Sequence, residues 1–95
     1  MDIKLNTLIR QKKHIIHKTA DGVVYLLRPA DSTIHTLNKT ASFIWELLAQ
    51  PRTLKQVVMA VCENFSVQRQ TATKDSKEFI TNYTKLGFLE LNPEK

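Results

Sequence analysis

A chain of 95 residues with 42% apolar and 24% charged side chains has the composition of a globular protein and the length of one modest core, which excludes two independent domains and a disordered or fibrous chain. No apolar run approaches the ~20 residues that cross a bilayer, and the amino terminus lacks a secretory signal pattern. The lone cysteine, Cys62, rules out an internal disulfide and fits a reducing, cytoplasmic setting.

The formal charge of +5 favours acidic partners without choosing among nucleic acid, an anionic membrane surface and an acidic peptide. Most of the excess lies in the front half, where residues 1–38 carry six Lys or Arg against three Asp. Arg10, Lys12 and Lys13 are too few to form a nucleic-acid-binding tail and read as a solvated segment.

Residues 1–12 carry little pattern, although Ile3, Leu5, Leu8 and Ile9 are apolar enough to pack against something, a partner chain included. His14 to Thr19 and Val23 to Arg28 are rich in β-branched and aromatic residues and flank Ala20-Asp21-Gly22, so they predict a β-hairpin. Turn chemistry over Arg28 to Ser32 leads into a third short strand, Thr33 to Leu37, completing an antiparallel three-stranded meander. A helix follows, with Asn38 as N-cap and Ala41, Ile44, Trp45 and Leu48 on one side, and Gln50-Pro51-Arg52 ends it. Thr53-Leu54-Lys55-Gln56 is a capping box opening a second helix, whose stripe is Leu54, Val57, Val58, Val61, Cys62 and Phe65. A third helix starts near Thr71 and carries Phe79, Ile80, Tyr83 and Leu86. Gly87 stops it in a Schellman end that brings Phe88 to Tyr83. Phe88 to Leu91 either adds a short strand or covers the core. The fold class is α+β, a three-stranded antiparallel N-terminal sheet followed by three α-helices.

Catalytic and metal chemistry find little support. On one strand, His14 and His17 would point to opposite faces, and neither His35 nor Cys62 completes a ligand spacing. Cys62 lies on an apolar stripe and reads as a core residue. Gly22 and Gly87 are the only glycines, too few for a phosphate-binding loop, and each has a turn or cap role. Asp75 and Glu78, interleaved with Lys74 and Lys77, read as a solvated helix face. The chain is expected to be no enzyme and to hold no cofactor or metal.

Binding surface is what remains. A three-stranded meander has an edge whose unpaired N–H and C=O groups can accept a further strand, and the third strand has no proline to prevent it. That edge either takes a ligand strand, or is simply solvated, or is covered by the protein's own tail.

The order Leu37-Asn38-x-x-Ala41-x-x-Ile44-Trp45, then Arg52-Thr53, then Asp75, Phe79 and Leu86-Gly87-Phe88-Leu89 resembles the PqqD-like domains, first described in biosynthesis of pyrroloquinoline quinone. The match spans roughly residues 14 to 91. The resemblance implies a winged-helix-like, non-catalytic peptide chaperone. Such a domain binds the leader segment of a ribosomally made precursor peptide and presents it to a modifying enzyme, a radical SAM enzyme or a leader peptidase among the candidates. It implies that the leader adds beside the third strand in a cleft against the third helix. Mapped onto this chain, the walls are Ser32, Thr33, Ile34, His35 and Thr36 on one side and Lys74, Lys77, Ile80, Thr81 and Thr84 on the other. Lys74 and Lys77 would then draw an acidic leader.

The competing reading is a winged-helix DNA-binding protein. The second helix exposes Lys55, Gln56, Glu63 and Asn64 and the third mixes its lysines with Asp75 and Glu78, a poor set for facing phosphate. A third reading is an adaptor that docks through Ile3, Leu5, Leu8 and Ile9.

Overall fold

The structure, a computed structural model, describes residues 3–92, so residues 1 and 2 of the amino-terminal stretch lie outside it. Along the chain run β1 (Leu8–Gln11), β2 (Ile16–Ala20), β3 (Val23–Arg28), β4 (Thr33–Thr36), α1 (Lys39–Leu47), β5 (Arg52–Thr53), α2 (Leu54–Phe65), α3 (Arg69–Lys85) and β6 (Leu89–Leu91). The expected meander is the antiparallel sheet β2-β3-β4. Asp21 and Gly22, at φ 54° and 77°, form its two-residue turn between the paired Ala20 and Val23. β2 starts later than expected because His14 sits at φ 66°, outside extended backbone, so the face argument for His14 and His17 no longer applies.

A second antiparallel sheet, β5-β1-β6, was not anticipated. β1 is its centre, pairing Leu8 with Thr53 on one side and Ile9, Arg10 and Gln11 with Leu91, Glu90 and Leu89 on the other. Ile9 is fully buried, and Arg10 and Glu90 form an ion pair across the ladder. The N–H of Gln11 donates to the carbonyl of Leu48 and that of Lys12 to the carbonyl of Phe88, 2.8 and 2.9 Å away, which fastens the amino-terminal stretch to the helices.

Capping works as the residue types demand. Asn38 Oδ1 accepts the N–H of Ala41 at 2.8 Å. Thr53 Oγ1 accepts the N–H of Gln56 at 3.1 Å while Gln56 Oε1 accepts the N–H of Thr53 at 2.9 Å. α3 ends in a Schellman motif, with the N–H of Phe88 on the carbonyl of Tyr83, the N–H of Gly87 on that of Thr84, and Gly87 at φ 90°.

Trp45, Ile44, Leu48, Val57, Val61, Phe79, Ile80 and Phe88 fill the core between the helices and one face of the meander. Within it Ser42, almost fully buried, is the polar bridge from α1 to the sheet. Its Oγ accepts the N–H of Val24 at 2.9 Å and donates to the carbonyl of Leu37 at 3.2 Å. Ser42→Ala strands both groups, and an expected loss of about 1–3 kcal/mol is measurable by denaturant titration. The architecture is α+β and winged-helix-like, as expected, with the small second sheet added.

Candidate functional site

The meander leaves β4 paired only with β3 among the described residues. The N–H of Leu37 bonds the carbonyl of Val24 at 2.9 Å, so the alternation of an antiparallel ladder turns the N–H and C=O groups of Ile34 and Thr36 toward the open edge. Nothing in Thr33-Ile34-His35-Thr36 guards it, neither proline nor lysine.

The two faces of this sheet differ. On the inner face lie His17, Leu26 and His35, with the His17 ring edge-on to Trp45 at 5.8 Å. His35 packs edge-on against Phe88 at 5.3 Å and Tyr83 at 5.9 Å, which holds β4 against the end of α3. On the outer face, Ile16, Leu27 and Ile34 stand in a cross-strand row beside Tyr25, with Ile16 54% and Ile34 66% exposed.

Where β4 passes into α1, a groove of about 340 Å³ opens against α3. Its near wall is Thr36, Leu37, Asn38, Thr40, Ala41 and Ile44, and its far wall is Asp75, Glu78, Phe79, Asn82 and Tyr83. Phe79 and Tyr83 stack one turn apart, 4.6 Å between centroids, and make the aromatic part of that wall. Burial pushes the Tyr83 phenol above its usual range.

The expected site residues divide between this region and elsewhere. Thr36 lines the groove, and Ile34 and Thr36 supply the open backbone groups. Thr33 closes a local turn, its hydroxyl donating to Asp31 Oδ1 at 2.7 Å, and this bond holds the Asp31 carboxyl below its usual range. Ser32 is exposed in the same turn at φ 56°. The α3 residues are placed differently. Lys74 and Lys77 are exposed, Thr81 and Thr84 half-buried, and none of them lines the groove. Ile80 is fully buried in the core and offers no surface to a ligand.

The groove wall comes instead from Asp75, Glu78 and Asn82, a flank of α3 set one hundred degrees or so around the helix from the expected one. In the sequence Asp75 and Glu78 read as a solvated helix face and Asn82 carries no signal, because the apolar stripe identifies which side of α3 is buried, not which of its two shoulders borders the groove. The signal that could have chosen between them is Tyr83, expected to meet Phe88 and therefore to lie near the end of the sheet.

Elsewhere, a hollow of about 400 Å³ between β1 and β2 gathers Arg10, Lys12, Lys13, His14 and His17. Among the described residues no three His, Cys, Asp or Glu side chains come together to hold a metal ion, and no helix is long and apolar enough to cross a membrane. Cys62 is a half-buried free thiol on the core side of α2.

No curated protein matches the chain. Among solved structures it is similar to one described as TbiB1 in complex with the TbiA(beta) leader peptide. Identity is 26% and the TM-score 0.77, with 90% of this chain and 99% of that chain covered. The model of a family described as coenzyme PQQ synthesis protein D (PqqD) matches residues 24–89, from the strand that backs β4 to the strand that follows the Schellman end. With more than half its length matched, and with β4, α1, the groove and α3 all inside the match, the chain belongs to the PqqD family.

Proposed function

We propose that this chain is a non-catalytic peptide chaperone acting in the cytoplasm. It binds the leader segment of a ribosomally synthesised precursor peptide as a strand added to β4, beside the groove, and presents it to a modifying enzyme. The observation that carries this reading is the open β4 edge, with the backbone groups of Ile34 and Thr36 directed outward next to a groove with an aromatic wall. Strand addition uses such an edge for affinity and adjacent pockets for selection. Membership of the PqqD family, and the likeness to a structure described as a leader-peptide complex, support the same class of ligand.

The outer row Ile16, Leu27 and Ile34 supports the second half of the proposal. It is apolar surface on the sheet face away from the core, free to meet an enzyme such as a radical SAM enzyme or a leader peptidase while the edge holds peptide.

The test is an NMR titration of labelled protein with leader peptides encoded beside its gene and, separately, with duplex DNA, each at low and high salt. Leader binding should move the amides of residues 33–38 and of the Asp75 to Tyr83 stretch and depend weakly on salt. Binding of DNA alone, with a steep salt dependence, would replace this reading with the nucleic-acid one.

A further inference from the structure

We infer that the groove between the β4–α1 junction and α3 receives a long cationic side chain, lysine or arginine, from the bound peptide. The ligands of this chain are then peptides with a basic residue at one set position beside the stretch that pairs with β4. The inference rests on the reading of this groove as part of the peptide site and adds the chemistry it selects.

The groove has two chemically different parts. Ala41 and Tyr83 give it apolar surface, backed by the buried Ile44 and Phe79, whereas Asp75 and Glu78 bring two carboxylates to its α3 side from successive turns of one helix flank. No lysine, arginine or histidine lines it. Both carboxylates are exposed, and the ion pairs among the described residues, Arg10–Glu90 and Arg28–Asp31, involve neither. A cleft with low-dielectric walls concentrates the field of the charges lining it, so this is a cation-attracting spot on a protein whose formal charge is +5.

Of the side chains a peptide can offer, lysine and arginine alone combine a long aliphatic stem with a fixed positive head. The stem would lie along Ala41 and the half-buried ring of Tyr83, and the head would reach the carboxylates. Asn82 adds a side-chain amide on the same flank, able to accept a further N–H. Lys74 and Lys77, which would draw an acidic leader, stand outside this lining.

The experiment is selection of peptides from a random library by display on the intact chain, in parallel with the double variant D75N/E78Q and the charge swap D75K/E78K. The substituted positions are exposed, and thermal melts check that each variant keeps the wild-type fold. Wild type should enrich peptides with Lys or Arg at one position relative to the pairing stretch. D75N/E78Q should lose that enrichment and bind the selected peptides about tenfold or more weakly. D75K/E78K should prefer Asp or Glu at the same position. Peptides selected without a basic preference, or with the same preference by wild type and D75N/E78Q, would overturn this inference and leave strand addition standing. Recovery of no peptide by any of the three proteins would overturn strand addition and this inference with it.

Discussion

Replacing Ile34 by proline is expected to weaken leader binding by one to two orders of magnitude while moving the melting temperature only a few degrees. The asymmetry comes from the ladder. The N–H of Ile34 faces the open edge, so proline there deletes no bond to β3, and a proline on an edge strand with its nitrogen outward is tolerated. An incoming strand, however, loses a donor and meets the pyrrolidine ring where it would approach. A lost backbone bond with its partner left buried costs about 1–3 kcal/mol, which sets the expected factor. Fluorescence anisotropy with a labelled leader, paired with thermal melts, separates the two effects. An unchanged affinity in a folded Ile34→Pro protein would remove β4 as the pairing strand.

Phe88→Ala should be the most damaging truncation near the site, costing about 3–5 kcal/mol and lowering the melting temperature by roughly 20 °C. The ring is almost fully buried, with His35 and Tyr83 packed against it at 5.3 and 5.9 Å between centroids. Its removal leaves a hole beneath β4 and takes away the surface that sets the distance of β4 from α3. Leader affinity should therefore fall even at temperatures where the variant stays folded. Phe88→Leu, which keeps most of the apolar volume, should recover most of the stability and less of the affinity.

The features that sequence reading captures are those decided within a few residues. The Asp21-Gly22 turn, the Asn38 cap, the Thr53–Gln56 box and the Gly87 end all rest on residue types placed next to the groups they satisfy, and each is found where expected. The amphipathic stripes likewise name the buried Leu54, Val57, Val58 and Val61 of α2 and Phe79 and Ile80 of α3, though not the buried Ala72 and Ser76. What escapes is decided at a distance. β1 has a weak pattern of its own and becomes a strand because residues 52–53 and 89–91 close on both its edges. Ser42 reads as an ordinary helix residue until Val24 and Leu37 arrive beside it. The candidate site shares this division. The edge strand was legible from its turn, its length and its lack of proline. The shoulder of α3 that faces it was not, because Asp75 and Glu78 alternate with Lys74 and Lys77 in a way that suits solvent on either side.

The pairing of β1 with β6 has a kinetic consequence. Arg10 and Glu90 meet across a separation of 80 residues, so this ladder is among the last contacts a growing or refolding chain can make. The hairpin β2-β3, the strand β4 and the helix caps need only neighbours and can form well before it. Phe88 has a local anchor in its N–H on the Tyr83 carbonyl, but its own carbonyl takes the N–H of Lys12 only when that late ladder closes, and His35 packs on the same ring. A leader peptide arriving earlier would meet an edge that can already pair, before the Lys12 bond to Phe88 has locked the end of α3 behind it, so affinity should mature more slowly than secondary structure.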